Sequence, residues 1–431
     1  MNEPAVGSSI LQLADKSGNN RPFVSLAGSQ PTLVSSSGFS KPVLGFSPSQ
    51  WMRQTYDFAT PSTVIYVARA RAATSGRILS SIGNNWLLGW HGNLEGVAYF
   101  NGWVAYPGPT HTTTARVMSA VLRGGSANSD FAMDGVVKAT NASGVAGPNG
   151  LTINNSGENT DAEIAEIVVF PRALSDAERF RVETGLAAKW GLVVANPVAS
   201  GLVSSLDANN LSSLYQASTG TNPVTTAGQP VCRWTDLSGS GNHAVQPVTG
   251  SCGSYGADPS GGYIDFTTNG FFTTSPTLSP DATVLVVAQS NTSTWNTWGW
   301  LASARGPNGF IVHPARGSTN VDFYPVNSGG SYTYVGSLAS PNLTRPTLYK
   351  MTMSGSNPVT GSYGLNGSST TYSAAGVVRA AGSVLVTLGA DGNLGRPGNG
   401  RYREVLIYNR ALSAAELTQV ETYLRAKWGT G

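Results

Sequence analysis

Short runs of β-branched and aromatic residues alternate along the chain with clusters of Gly, Pro, Ser, Thr and Asn. The longest apolar runs read STVIYVARA at 62–70 and ATVLVVAQS at 282–290. Turn residues recur about every ten positions between such runs, which is typical of β-sandwiches or barrels and not of βαβ units. The pattern therefore predicts an all-β protein.

Two segments replace this alternation with helical periodicity. RALSDAERFRVETGLAAKWG (172–191) and RALSAAELTQVETYLRAKWG (410–429) are identical at 14 of 20 positions. Ser175 and Ser413 each precede a Glu by three residues, the capping box that begins a helix, and the final Gly of each segment is placed to end it. Each segment also follows a strand-like run. The pattern predicts a strand, a turn and a short amphipathic helix that closes a fold.

The duplication extends beyond the helix. DKSGNNRPFVS, which begins at Asp15, aligns without a gap with DLSGSGNHAVQ, which begins at Asp236. A repeat of this length indicates domains, because solenoid repeats are only about 20 to 50 residues long. We predict a first domain at 1–192, a linker at 193–200 and a second domain at 201–431.

The first domain lacks one segment that the second has. GLVSSLDANNL (201–211) precedes the second copy of the Asp motif, and nothing before Asp15 corresponds to it. A sheet without its opening strand presents unpaired backbone groups that proteins usually cover. We expect residues 2–10, the second domain or a strand added by another chain to cover that edge. A smaller sandwich that is complete without the strand is the alternative.

The composition excludes several classes of function. The formal net charge is +3 and only 11% of residues are charged, with no basic run interleaved with aromatics, so nucleic-acid binding is not expected. No segment approaches the roughly 20 apolar residues that cross a bilayer. The N-terminus lacks the pattern of a secretory signal, so we expect no membrane insertion and no signal-dependent export.

Catalysis is not expected. Glycoside hydrolysis needs two carboxylates placed about the scissile bond. The best acidic cluster contains Glu158, Asp161, Glu163 and Glu166, but strand alternation would put Glu163 and Glu166 on opposite faces. Glu166 recurs as Glu404 beside the helix motif, which favours a structural ion pair. The four histidines show no paired spacing, and no serine nucleophile motif is present.

Cofactor and disulfide chemistry stay open from the sequence. No cofactor is predicted, although Asp207 or Asp236 with loop carbonyls could hold calcium. For Asp236, a turn cap that accepts backbone hydrogen bonds is the simpler interpretation. Cys232 and Cys252 either form a disulfide or remain two reduced thiols.

Tryptophans are the best binding candidates, because their rings stack on the apolar faces of sugars. Trp295 and Trp298 stand among Asn and Thr and are expected at the surface, whereas Trp86 and Trp300 are expected to point inward. The full set of predicted glycan-binding residues is Trp295, Trp298, Trp90, Trp103 and His91.

The second domain carries the residues of a family resemblance. WTDLSGSGNHA, the opening GLVSSLDANNL and the closing REVLIYNRALSAAELTQVETYLRAKWG resemble the laminin-G-like, concanavalin-A-like jelly-roll domains of bacteriophage virion proteins and bacterial surface proteins. The resemblance implies two tandem antiparallel β-sandwiches, each closed by a C-terminal helix, with binding loops or a concave face. It implies no particular activity, because this architecture hosts lectins, adhesins, enzymes and structural modules.

From this resemblance we expect a non-enzymatic protein of the bacteriophage virion surface, either head-decorating or tail-associated. Its expected partners are other virion proteins, a host-surface polysaccharide and a second copy of itself. The alternative is a secreted or cell-surface lectin or adhesin, or a fragment of one, and a plain structural protein without a ligand is the third possibility.

Overall fold

A computed structural model describes most of the chain. The described residues are 4–71, 76–154, 157–192, 196–248, 250–267, 270–295, 301–304, 306, 308–340, 342–390 and 398–430, without the side chains of residues 177 and 188. The chain divides into two compact units, Met1–Pro197 and Val198–Gly431. This division falls inside the segment 193–200 that we predicted as a linker.

Unit 1 consists of strands followed by one helix. In chain order these are β1 (Gln12–Leu13), β2 (Phe23–Val24), β3 (Thr32–Val34), β4 (Val43–Phe46), β5 (Met52–Asp57), β6 (Ser62–Ala70), β7 (Leu79–Ser81), β8 (Trp86–His91), β9 (Leu94–Phe100), β10 (Trp103–Ala105), β11 (Arg116–Leu122), β12 (Ser129–Met133), β13 (Val136–Asn141), β14 (Asn149–Ile153), β15 (Ala162–Phe170) and α1 (Asp176–Trp190).

These strands form two antiparallel sheets. The helix sheet has the order β13-β12-β11-β6-β15-β4-β3, and the facing sheet has the order β1-β2-β5-β14-β7-β8-β9-β10. The central place of β6 in the helix sheet explains why its sequence is a continuous apolar run. Val64 and Tyr66 enter the core between the sheets, whereas Ile65 and Val67 enter a second cluster with Leu186 of α1. A strand buried on both faces needs apolar residues at every position.

Unit 2 repeats this arrangement with additional strands. In chain order these are β16 (Leu202–Asp207), the 3₁₀ turn Leu211–Ser213, β17 (Leu214–Tyr215), β18 (Pro230–Val231), β19 (Arg233–Trp234), β20 (Ala244–Val245), β21 (Gly253–Asp258), β22 (Gly261–Phe266), β23 (Phe272–Thr274), β24 (Thr277–Leu278), β25 (Ala282–Ser290), β26 (Ala302–Ala304), β27 (Phe310–Pro314), β28 (Asn320–Pro325), β29 (Gly336–Ala339), β30 (Thr347–Ser354), β31 (Val359–Leu365), β32 (Thr370–Ala374), β33 (Gly382–Ser383), β34 (Val386–Leu388), β35 (Gly400–Tyr408) and α2 (Ala414–Trp428).

The sheets of unit 2 follow the order found in unit 1. Its helix sheet runs β18-β21-β22-β35-β25-β30-β31-β32, with β16 paired to β35, and its facing sheet runs β17-β19-β20-β23-β34-β26-β27-β28-β29. Every strand of the two unit 1 sheets thus has a counterpart at the same place in unit 2. Strands β16, β17 and β18 are the additions, and β24 pairs with β33 in a small separate sheet.

The helix signals act as the sequence predicts. Ser413 accepts a bond from the Glu416 N–H, and Glu416 accepts from the Ser413 N–H, which completes the capping box. The equivalent pair of bonds joins Ser175 and Glu178. Gly429 ends α2 in the left-handed conformation, where φ is 64° and a side chain would be strained.

The two cysteines are bonded in unit 2. Cys232 and Cys252 form a disulfide with a Cα–Cα distance of 4.8 Å, which decides between the two alternatives that the sequence left open.

Both helices contain 15 residues. Among the described residues, no helix combines the length and the apolar character that a bilayer span requires.

Candidate functional site

The structure separates the predicted tryptophans. Trp295 is only 3% exposed and belongs to the unit 2 core, so the expectation of a surface ring is wrong at this position. Its ring packs into this core although the residues just before it in sequence, 291–294, are polar, and its backbone N–H donates to the Ser318 carbonyl. Trp90 is also fully buried and packs edge-on against Tyr66, so it too is corrected. Trp86 points inward as predicted. Trp298 and Trp300 lie outside the described residues.

Of the predicted tryptophans that the structure describes, Trp103 is the one that reaches the surface. It begins β10, the last strand of the facing sheet, directly after the Asn101–Gly102 turn. Asn101 adopts a φ of 59°, the left-handed conformation that this residue tolerates better than most. The hairpin pairs Trp103 with Tyr99 of β9, so the two rings share one side of the sheet. Trp103 is 37% exposed.

Four rings gather around this position and form what we call the Trp103 cluster: Trp103, Tyr99, Tyr106 and His91. The centroid of the Trp103 ring lies 5.1 Å from that of Tyr99, 4.2 Å from that of Tyr106 and 6.0 Å from that of His91. Tyr106 is 54% exposed. Exposed aromatic rings gathered in one patch mark candidate interaction sites, and the apolar faces of sugar rings are suitable partners for them.

Polar side chains border the cluster. The Nδ1 atom of His91 lies 2.8 Å from a carboxylate oxygen of Glu158, and Nε of Arg77 donates to the same oxygen at 2.7 Å. A second Arg77 nitrogen donates to Asn85 at 2.8 Å. Partial burial disfavours the charged form of Glu158, but the hydrogen bond and charge of Arg77, with His91, hold the pKa of Glu158 below its ordinary value. The border therefore offers an anionic acceptor and several N–H donors.

Unit 2 places a second aromatic group at the equivalent position. Strands β27 and β28 correspond to β8 and β9, and the pairing of Tyr324 with Ile311 matches that of Tyr99 with Leu87. Four residues form what we call the Tyr324 cluster: Tyr324, Tyr332, Tyr334 and His313. The ring centroids of the other three lie 5.5 to 6.5 Å from that of Tyr324. Tyr332 and Tyr334 are exposed.

The tyrosines of both clusters escaped the sequence analysis. One signal was available for Tyr99, because an Asn-Gly turn between Phe100 and Trp103 predicts a hairpin in which neighbouring positions face each other. No comparable signal marks Tyr324, which depends on the register of two strands joined by a longer loop. Burial and the neighbouring Asp322 raise the pKa of Tyr324 to about 12, so its hydroxyl remains a neutral hydrogen-bonding group.

The acidic cluster is engaged in structural contacts. Each of its four carboxylates lies in an ion pair: Glu158 with Arg77, Asp161 with Arg71, Glu163 with Arg69, and Glu166 with Lys189. One detail of the prediction is wrong. A β-bulge between Ile164 and Glu166 shifts the register, so Glu163 and Glu166 lie opposite Arg69 and Val67 and share the helix side of the sheet.

The repeated Lys-Trp at the end of each helix explains the recurring glutamate. Glu166 accepts from Lys189 Nζ at 2.6 Å and from Trp190 Nε1 at 2.8 Å. In unit 2, Glu404 accepts from Lys427 Nζ and Trp428 Nε1, both at 2.7 Å. The predicted structural ion pair is confirmed, and it anchors each helix to the bulge of the strand that precedes it.

The two calcium candidates are occupied by donors of the chain itself. Asp207 accepts from Lys427 Nζ at 2.7 Å and from the Asn209 N–H at 2.9 Å. Asp236 accepts three backbone N–H groups, from Ser205, Ser238 and Asn242. Both carboxylates are therefore explained by the fold. Within the described ranges, no group of three or more potential metal-ligating side chains is assembled.

No protein-family model matches the chain, and no curated protein matches it. Among solved structures, domain 4 of the GH43 extracellular arabinanase AbnA from Geobacillus stearothermophilus, in complex with arabinotriose, is 18% identical, with a TM-score of 0.32 over 51% of this chain and 98% of that chain.

The CBM40 of the Ruminococcus gnavus IT-sialidase, bound to alpha2,3 sialyllactose, is 15% identical, with a TM-score of 0.27 over 33% of this chain and 83% of that chain. Trypanosoma rangeli sialidase in complex with sialic acid is 12% identical, with a TM-score of 0.35 over 94% of this chain and 66% of that chain.

Proposed function

We propose that this protein is a non-catalytic, glycan-binding protein of a surface, and that the Trp103 cluster is its principal sugar site. The observation that carries the proposal is an exposed tryptophan in contact with two tyrosines and a histidine, beside a charged hydrogen-bonding border. Sugar recognition combines an apolar ring face with hydrogen bonds that fix orientation, and this surface offers both. The Tyr324 cluster would then be a second, weaker site, because it has no tryptophan.

A glycan array with the full-length protein, followed by calorimetry on the best ligand, tests this proposal. We expect Trp103→Ala to weaken binding by about tenfold, since a stacked aromatic contact contributes on the order of 1 kcal/mol beyond its buried area. Tyr56→Ala is the matched control, because Tyr56 is exposed to a similar extent (43%) and lies outside the cluster. Equal effects of the two substitutions, or no glycan bound at all, would contradict the proposal.

We further propose a bacteriophage virion as the surface, with capsid or tail proteins as partners. The support is the resemblance of the Asp turn and the closing helix motif to those of virion jelly-roll domains. A secreted or cell-surface lectin or adhesin is the second candidate, and the same aromatic clusters support it equally. Antibody-gold electron microscopy of particles from a lysate of the source culture separates the two. Gold on heads or tails supports the virion, and unlabelled particles support the cellular protein.

A further inference from the structure

In the described part of the chain, one edge of the long strand β15 of unit 1 is paired along only three of its nine residues. On one side it pairs with β6 from Ala162 to Phe170. On the other side β4 pairs with Ala162–Ile164 only. Among the described residues, no strand pairs with the remaining stretch, 166–170. This stretch is half-buried, whereas the equivalent stretch of β35, Glu404–Tyr408, is fully buried.

Unit 2 contains the strand that fills the equivalent position. β16 pairs antiparallel with β35, with Leu206 opposite Val405 and Ser204 opposite Ile407. At its two ends, the Ala208 N–H donates to the Arg403 carbonyl and the Asn409 N–H donates to the Gly201 carbonyl. Backbone groups alternate in direction along a strand, so the groups of Val405 and Ile407 face β16. Their unit 1 equivalents are those of Ile167 and Val169.

The far side of β16 rests on the Asp motif. The Ser205 N–H donates to a carboxylate oxygen of Asp236 at 2.8 Å, and the Leu237 N–H donates to the Ser205 carbonyl at 2.8 Å. The same motif in unit 1 keeps the local bonds of its turn, in which Asp15 accepts from Ser17 and Arg21. Among the described residues, nothing donates to Asp15 as Ser205 donates to Asp236.

A lysine marks the end of the same position. In unit 2, Lys427 bridges Glu404 of β35 and Asp207 of β16, and its side chain is 15% exposed. In unit 1, Lys189 contacts Glu166 within ion-pair distance, and its side chain is 47% exposed. The second carboxylate of the unit 2 arrangement comes from the added strand. Lys189 is thus the unit 1 counterpart of Lys427, and its side chain is exposed enough to accept a second carboxylate.

We propose that unit 1 accepts an extended segment of another protein chain at the position that β16 occupies in unit 2. We call this position the strand slot. It consists of the edge of 166–170, the turn that begins at Asp15, and Lys189. The segment adds antiparallel to β15, as β16 adds to β35. It carries small or apolar residues along the pairing and a carboxylate opposite Glu166, where it reaches Lys189. The slot is bounded by β4 on the same edge, so it suits one extended segment better than the whole sheet edge of a second copy.

The chain itself excludes one simple alternative. Residues 7–10, part of the segment 2–10 that we expected as one possible cover, lie along β3 instead. The Gly7 N–H donates to the Leu33 carbonyl, and Ser9 bridges to Thr32. The equivalent place in unit 2 is taken by β18, which pairs with β21. Residues 7–10 thus have their own position beside β3, separate from the strand slot.

The peptide ASGLVSSLDA, residues 199–208 of this chain, is the probe, because β16 is the strand whose fit is known. Unit 2 of the full-length protein already holds its own copy of this strand, so we expect added peptide to bind in the unit 1 slot. We expect saturable one-to-one binding of the fluorescently labelled peptide, measured by anisotropy. Hydrogen exchange should slow at the backbone amides of Ile167 and Val169 when the peptide is bound.

Altered peptides provide controls that leave the protein unchanged. N-methylation at Ser204 and Leu206 removes the N–H groups that face the slot strand, and we expect it to abolish binding. Asp207→Lys in the peptide places a second cation beside Lys189, and we expect binding at least about tenfold weaker. Lys189→Ala in the protein should reduce the difference between the two peptides, since the cycle isolates that contact.

Three results would overturn the proposal. The first is that the peptide does not bind, and the second is that it binds equally well when N-methylated. The third is that the amides of Ile167 and Val169 are already protected in the protein alone, because the edge would then be covered by this chain or by a second copy. None of these results bears on the proposed glycan binding, because the Trp103 cluster lies on β8, β9, β10 and the residue that follows β10, in the facing sheet.

Discussion

Glu166 and Glu404 occupy the same position of the duplicated motif but differ in what surrounds them. Glu404 is buried with Lys427, Trp428 and Tyr423, and burial raises its pKa although Lys427 opposes that effect. Burial lowers the pKa of Lys427, but Glu404 and Asp207 outweigh it and raise that pKa, so the lysine stays charged. Glu166 is the more exposed carboxylate, with 26% of its side chain accessible.

This difference gives a matched pair of substitutions. We expect Glu404→Gln to lower the free energy of unfolding of unit 2 by about 2 kcal/mol, because a hydrogen bond to a buried charged group is lost. Glu166→Gln should cost less than about 1 kcal/mol, since solvent screens a partly exposed pair. Urea unfolding, followed by the fluorescence of the buried tryptophans, measures both. A larger loss of unfolding free energy for Glu166→Gln than for Glu404→Gln would contradict this prediction.

At the scale of elements, each helix begins with the same set of bonds. Arg172 and Arg410 each hold the N3 glutamate of the following helix with two hydrogen bonds, at 2.8 to 2.9 Å. The hydrogen bonds from the arginine, and those from the cap serine, lower the pKa of Glu178 and of Glu416 to about 2. A folded-state pKa below the unfolded value stabilises the fold above the unfolded pKa.

The stabilisation from these glutamates should therefore be complete above pH 4.5 and lost as the pH falls towards about 2. We expect the double variant Glu178→Gln, Glu416→Gln to unfold with a shallower pH dependence in that window, since glutamine keeps the capping box without titrating. Ser413→Ala is the comparison variant, because it should cost about 1 kcal/mol by removing the side-chain cap. It keeps the Arg410 hydrogen bonds, the largest cause of the lowered pKa of Glu416, so we expect it to keep most of the pH dependence. An unchanged slope in the double variant would show that other carboxylates govern acid unfolding.

The bulge is the element-scale feature that the alternation rule missed. A register shift lies between Ile164 and Glu166 in β15, and another lies between Val287 and Ala288 in the pairing of β25 with β35. The extra residue turns both recurring glutamates towards the helix. An alternating pattern cannot reveal one inserted residue, because the pattern on either side of it still reads as a strand.

At the scale of the whole molecule, two units with separate cores make up the chain, and only unit 2 contains a disulfide. The loop between Cys232 and Cys252 spans 20 residues, so its closure should contribute about 3 kcal/mol in the chain-entropy model. We expect a Cys232→Ser, Cys252→Ser variant to lose roughly that amount in the unfolding of unit 2, with unit 1 unchanged. In differential scanning calorimetry we expect the unit 2 transition alone to move to lower temperature. A shift of the unit 1 transition as well, or a single transition for both units, would contradict this prediction.

The sequence alone determined the features that depend on local chemistry and repetition. The 9-residue strands at 62–70 and 282–290, the capping boxes, and the glycines that end the helices follow from patterns within a few residues of each other. The duplication could be recognised because two copies of one motif stand in one chain. The comparison of the two copies also showed that residues 1–14 contain no counterpart of 201–211.

Only the tertiary structure decided which aromatic rings meet and which are exposed. Trp295 and Trp103 both stand near polar residues, yet one lies in a core and the other at a sheet edge, because loop paths and strand register set their depth. The Trp103 and Tyr324 clusters each depend on residues from different strands. Their positions follow from the pairing of strands across the sheets, and side-chain burial is a property of that whole arrangement and not of the neighbours in sequence.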